Sequence, residues 1–326
     1  MMVVHTEEVS AAGARVRRRA RGVPDPRERS WWLQADHPLP LGLRRPEDGP
    51  LRLIAATECT VLAGFREPTA IAANLDRLDV HGLADVVTVL RRPDQAEALL
   101  YALGLLFATG RAAQISLARR VTVAAARSAD EPVLARVVEL ARHHGDDPGV
   151  LLSIFLHEVR IAPGDVLQIG SGMVYGLVSG RALHVTRRRG STIAVGLSLE
   201  PVATGAVLQR LGAKVGPARL VPGVGSGSLL NYPAVDGITL AQVASGHAQV
   251  HLGPKAVAVA LGCDGWVEEG PRRRSILAGG PAVGLPPGLV RVGSRGRLAI
   301  FADAEDLSDR RSPAAAEAAS ALDDVE

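Results

Sequence analysis

Three residues with acid–base side chains, His157, Tyr175 and His184, fall on short strand-like runs between Gly145 and Gly196, and Arg187, Arg188 and Arg189 follow directly. An imidazole beside a phenol can move a proton between neighbouring atoms, and a row of guanidinium groups can hold an oxyanion such as phosphate. On that chemistry His184 is the candidate catalytic residue, and Tyr175, Arg187 and Arg188 are candidate substrate contacts. The same residues also fit a plainer reading. Isolated strand histidines commonly satisfy backbone groups, and three arginines before Gly190 suit a solvated hairpin. His143 and His144 stand at the end of an expected helix, where the dipole favours a cation.

The elements that must position these side chains are short strands. Val159 and Ile161 alternate with Glu158 and Arg160, and Pro163-Gly164-Asp165 supplies a turn in which Pro presets φ and Gly accepts positive φ. Val166 to Ile169 reads as the next strand. Val174 to Val178 and Ala182 to Thr186 read as two more, joined at Ser179-Gly180. Strands this short and this closely spaced predict a jelly roll or barrel. Leu53 to Ala56 reads as a buried strand of the same unit.

Residues 67–144 change period. Glu67-Pro68-Thr69 opens a helix with Ile71, Leu75 and Leu78 on one face. Pro93 to Ala108 predicts a second, with Ala96, Leu99, Leu100, Leu103 and Phe107 as its apolar stripe, and Ala112 to Arg127 a third. Asp130-Glu131-Pro132 starts a fourth that buries Val133, Val137 and Leu140 and stops at Gly145. Val202 to Leu211 predicts a short helix. Gly212 to Ser228, rich in Gly, Pro and Ser, reads as a surface crossing, and Val235 to Phe301 returns to strand and turn.

At 326 residues, nearly half of them apolar, the chain can fill sizeable cores. The formal charge of +3 is small for this length and sits in short runs such as Arg17–Arg19 and Arg272–Arg274, which argues against a nucleic-acid partner. Cys59 and Cys263 form no C-x-x-C pair and no framework of bridges, so a reducing cytoplasm is the expected compartment. No stretch approaches the roughly 18–20 apolar residues of a membrane span.

HHGDDPGVLLSIFLHEVRIAPGDVLQIGSGMVYGLVSG resembles a segment of the zinc-dependent, cupin-fold mannose-6-phosphate isomerases (the type I phosphomannose isomerases). That segment reads GDPGV, an apolar run, a PGE turn, then PAGxxHAYLSG. TVLAGFREPTAIAANLDRL, from Thr60 to Leu78, resembles the family's ALCGFRP segment and the helix after it. Weaker matches at Leu33–Pro38 and Gly196–Leu211 extend the similarity over most of residues 33–303, in the family's order.

The resemblance implies a cupin core and a zinc site of Gln, Glu and two His, used to interconvert mannose 6-phosphate and fructose 6-phosphate. It also implies that this chain is degenerate. Gln34 and His37 answer to the Gln and one His, but they are three apart instead of two, and on a strand that puts them on opposite faces unless a bulge intervenes. The Glu position falls on Leu51 and the second His on Tyr175, neither of which suits zinc. The family's Arg and Lys near the substrate fall on Ala194 and Glu200, and an earlier family Glu falls on His184.

Taken together, the expected fold is mainly β with an α-helical insertion. A flexible extension spans 1–30, a cupin barrel 31–66 and 145–211, helices 67–144, a second, smaller cupin-like barrel 229–303, and an acidic tail 304–326. The expected function is that of a mannose-6-phosphate isomerase-like protein whose activity the substitutions call into question, with a sugar phosphate as ligand and zinc as the family's cofactor. The alternative is a non-catalytic cupin that binds a sugar phosphate or a protein partner.

Overall fold

In the computed structural model, which describes residues 3–4, 31–186, 192–198, 202–225 and 227–303, one long strand holds the first β unit together. That unit contains β1 (Val3–Val4), β2 (Trp31–Ala35), β3 (Leu41–Leu43), β4 (Leu51–Ala55), β5 (Cys59–Phe65), β6 (Leu156–Ile161), β7 (Val166–Ile169), β8 (Val174–Thr186), β9 (Ile193–Gly196) and β10 (Arg219–Val221). From Gly180 onward β8 pairs with β2 and β4. Before it, β8 pairs with β3 and β5. A single strand thus passes from one sheet of the jelly roll to the other.

The turn expected at Ser179-Gly180 is therefore a corner within a continuous strand of 13 residues. Its physical reason is Gly180, whose φ of +94° no L side chain adopts comfortably, and whose missing Cβ lets the backbone press against the Glu58 carbonyl. The register against β5 slips at the same place, between the Thr60–Ser179 and Val61–Leu177 pairs. This bulge changes the phase of the strand: Tyr175 and Leu177 face the barrel interior before it, Ala182 after it.

Away from the edge strands β6 and β10, both sheets of the barrel are covered on both faces. Along β4, Leu51, Leu53 and Ala55 join the interior cluster with Val61, Ala63, Leu167, Ile169 and Leu177. Ile54 points the other way and packs with Val166, Leu183 and Val185 against the C-terminal unit. On the far side, Leu62, Phe65 and Val174 pack beneath the helices. This two-sided burial explains why β4, β5 and β7 read as apolar runs with little alternation, while β6 keeps its alternation because Glu158 and Arg160 are exposed.

The helices are α1 (Pro68–Leu78), α2 (Ala84–Leu90), α3 (Gln95–Ala108), α4 (Arg111–Ala125), α5 (Pro132–His144), α6 (Gly149–Leu152) and, after β9, α7 (Thr204–Arg210). Pro68 and Pro132 occupy first turns, where a missing N–H costs nothing. The Asp94 side chain caps α3 by accepting from Glu97 N at 2.9 Å. The sequence reading missed α2, and two buried faces are rotated from expectation. Leu134 rather than Val133 is buried on α5, and α3 buries Ala98, Leu99, Ala102 and Leu103 while Leu100 is 36% exposed. Among the described residues no single helix is long and apolar enough to cross a membrane.

The C-terminal unit contains β11 (Leu229–Val235), β12 (Ile238–Val243), β13 (Gly246–Leu252), β14 (Val257–Ala260), β15 (Gly265–Glu269), β16 (Arg272–Ile276), β17 (Val283–Gly284), β18 (Gly288–Ser294) and β19 (Leu298–Asp303). They form a five-stranded sheet, β11-β12-β19-β14-β17, and a four-stranded sheet, β13-β18-β15-β16. The two enclose a core that includes Val243, Val250, Leu252, Val267, Val292 and Ile300. The outer face of the five-stranded sheet, with Tyr232, Leu240, Val259 and Phe301, meets the barrel. The order is therefore helices, two barrel sheets, then two further sheets.

Substituting Gly180→Ala tests the corner. The new Cβ would lie 2.2 Å from Glu58 O, a backbone atom that cannot step aside. Thermal and denaturant unfolding should show a loss of roughly 2–4 kcal/mol, from strain at positive φ together with the clash; an unchanged midpoint would mean that β8 does not turn there.

Candidate functional site

The barrel interior is where a cupin would place its chemistry, and here it is mostly apolar. Leu51 is 1% exposed and Tyr175 8%, and both belong to the packed interior cluster with Leu53, Leu167, Ile169 and Leu177. A small polar group borders that cluster. The Tyr175 hydroxyl and His184 Nε2 are 3.3 Å apart, with rings in stacked orientation at 6.4 Å. Nine positions along a regular strand would put the two residues on opposite faces, so the contact exists because the bulge near Gly180 restores the phase.

Sequence reasoning missed Arg44, which is 2% exposed and lies beside this pair. Its Nε donates to Gly49 O at 2.9 Å, and its Nη2 donates to Thr186 Oγ1 at 2.7 Å and to Asp48 O. The partners are a local 3-10 turn and a residue 142 positions away, so nothing in the local pattern marks it. Its donors are largely taken up by the protein, which suits a structural cation better than one that waits for a phosphate.

Burial pushes the His184 imidazole down to about 3, and the neighbouring Arg44 cation adds to that shift. Burial pushes the Tyr175 phenol up, opposed by a hydrogen bond to Thr192 and by Arg44. Near neutral pH both groups are therefore uncharged, with the phenol able to donate to the imidazole nitrogen. A base this weak and an acid this weak are poorly matched to proton transfer at that pH, since useful catalysts titrate near the working pH. The pair is well suited to filling a partly apolar interior without leaving a polar atom unpaired.

The other expected site residues are not brought together with it. Gln34 is exposed on β2 and donates to the Asp36 carboxylate at 3.1 Å. His37 is also exposed, with its ring 4.9 Å from that of His143, and His144 Nε2 lies 2.9 Å from Pro38 O. His157 lies beside Arg66 and Glu67 instead of Tyr175. Arg187, Arg188 and Arg189 lie outside the described residues, as does Glu200.

Mannose 6-phosphate isomerase from Salmonella typhimurium in its apo form superposes with a TM-score of 0.73 at 18% identity, over 83% of this chain and 78% of that one. The same enzyme bound to its substrate fructose 6-phosphate and zinc gives 0.73 at 17% identity, over 83% and 78%. This chain has the fold of phosphomannose isomerase. A mannose 6-phosphate isomerase bound with zinc and yttrium matches equally well, with a TM-score of 0.73 at 17% identity over 83% and 78%. No family model and no curated protein sequence matches the chain.

The fold therefore raises the question of zinc, and the residues present do not fit it. Zinc takes Cys, His and carboxylate ligands gathered in a tetrahedron. Leu51 and Tyr175 are packed in the interior cluster, while Gln34 and His37 are exposed on its outside. Among the described residues no group of three or more His, Cys, Asp or Glu side chains is placed to hold a metal ion.

The depressed His184 fixes the direction of a pH effect. Between its unfolded value near 6.5 and its folded value of about 3, the unfolded chain binds the proton and the native one does not. The native state should therefore lose stability as pH falls through that window, by at most about 1.4 kcal/mol per pH unit from this one group. His184→Asn keeps a hydrogen-bonding side chain and removes the titration. Its stability curve from denaturant unfolding should be shallower than that of the natural chain below pH 6.5 and parallel to it above. His144 and His157 are also depressed, so part of the acid slope should remain.

Proposed function

We propose that this chain is a phosphomannose-isomerase-like protein that has kept the fold and given up the metal-dependent isomerisation, acting as a non-catalytic binding protein. The carrying observation is the filled barrel: Leu51 and Tyr175, at the positions the resemblance gives to zinc ligands, are buried in one apolar cluster. Aldose–ketose isomerisation needs a base that titrates near working pH, polarisation of the carbonyl and hydroxyl oxygens, and cations for the phosphate. His184 is too weak a base, Ala194 stands where the family has an Arg, and the donors of Arg44 are largely spent on Gly49, Asp48 and Thr186.

A sugar phosphate remains the ligand class to try first, because the Salmonella enzyme of the same fold binds fructose 6-phosphate. Arg187, Arg188 and Tyr175 are the residues proposed to meet it. Two free thiols, Cys59 buried and Cys263 exposed, support a cytoplasmic setting.

The test is the interconversion of mannose 6-phosphate and fructose 6-phosphate by purified protein, with and without added zinc, alongside its metal content. The expected outcome is substoichiometric zinc and no turnover above background. Turnover approaching the ordinary range of about 1–10³ per second would overturn the reading. In that case His184→Ala and Tyr175→Phe would show whether the pair had become the site.

A further inference from the structure

The seam between the barrel and the C-terminal unit contains a second buried arginine with a different character. Arg52 is on β4, on the face opposite Leu51 and Leu53, and is 2% exposed. Its Nη2 donates to Pro233 O, whereas its Nε and Nη1 have no hydrogen-bond partner. No carboxylate is paired with it among the described ion pairs. A guanidinium buried in this way is costly unless its donors are met.

Other polar groups line the same seam. Tyr232, next to Pro233, is 8% exposed, and its phenol lies so close to the Gly223 backbone that a Cβ there would sit 3.0 Å from the hydroxyl. Arg297 is half-buried, and its side chain lies flat on Gly164, where a Cβ would come within 2.2 Å of its Cδ and Nε. The Gly164 carbonyl accepts from the buried Gln242 Nε2 at 3.0 Å, while Gln242 Oε1 has no hydrogen-bond partner. The Asp165 carboxylate, also near Tyr232, already accepts from Ala162 N at 2.8 Å. Two guanidinium groups and one carboxylate, Arg52, Arg297 and Asp165, thus bear on the Tyr232 phenol.

We propose that this seam is a binding site for a small oxyanion, phosphate or a phosphate monoester, with Arg52 at its floor, Arg297 at its rim and the Tyr232 hydroxyl between them. The oxygens of such an anion would accept from the unspent Arg52 N–H groups, and Arg297, being half-exposed, supplies the way in. The electrostatics agree with the geometry. Burial raises the Tyr232 phenol, and Arg297 and Arg52 each oppose that rise while Asp165 adds to it, so both cations bear on the phenol oxygen. The site is separate from the barrel interior, and it stands or falls independently of the isomerase question.

The probe is inorganic phosphate, titrated calorimetrically into the full chain at constant ionic strength, with chloride as the control anion and thermal unfolding as a second readout. Saturable, phosphate-specific binding is expected, with a rise in the unfolding midpoint of about 2 °C at a tenfold excess over Kd. Arg297→Gln, a change at the half-exposed rim, should weaken binding at least tenfold. Arg52→Met, which keeps the length of the side chain without the charge, should abolish it while leaving the protein folded. Equal responses to phosphate and chloride, or full phosphate affinity in Arg297→Gln, would overturn the proposal even if Arg52→Met fails to fold. Competition by fructose 6-phosphate or mannose 6-phosphate would assign the site to phosphate monoesters; phosphate binding without such competition would assign it to the free anion.

Discussion

Burial of both faces of both barrel sheets is the constraint on which the other features depend. A jelly roll with one face in water can lose interior volume and relax, but this one is held between helices on one side and two further sheets on the other. Its interior must then be filled from within, at the density of any protein core. Leu51, Leu53, Leu167, Ile169 and Leu177 do most of that filling. Replacing a buried polar or ionic cluster by well-packed apolar side chains is often neutral or stabilising. That is the physical reason such a fold can persist without metal ligands.

The corner in β8 is the second determinant. A strand that changes sheets must break its own period, and here glycine at positive φ and a register slip do so together. One result is architectural, because the strand links two sheets that otherwise share few hydrogen bonds. The other is local: the change of phase turns His184 toward Tyr175 and brings Thr186 within reach of Arg44. The polar group of the interior is thus a product of the bend, and it is held neutral by the burial that the bend creates.

Much of the fold was legible because two periods alternate along the chain. Ile71, Leu75 and Leu78 mark a helix, and Val166 to Ile169 is read as a strand with the limits it has in the structure. The misreadings have physical sources. Ser179-Gly180 resembles a hairpin turn because positive φ serves turns and corners alike, and only pairing with β2, β4 and β5 distinguishes them. The sequence places Leu100 in the core because α3 is apolar on nearly every side, so periodicity cannot select its buried face. The candidate site was less legible still. Tyr175 and His184 were named, but Arg44 was not, since its partners come from a local turn and from a distant strand.

Arg44 and Arg52 show why burial alone does not define a role. Both are 2% exposed, and desolvation lowers the pKa of both, that of Arg52 to about 10. Arg44 meets two carbonyls and a hydroxyl, and the Asp48 carboxylate lies 4.0 Å away, so its charge is offset within the chain. Arg52 meets one carbonyl, and its Nε and Nη1 are buried without a hydrogen-bond partner. The first arrangement is complete within the chain. The second becomes complete only when something brings acceptors to it, and a seam between two rigid β units is a place where a small anion can do so without disturbing either core.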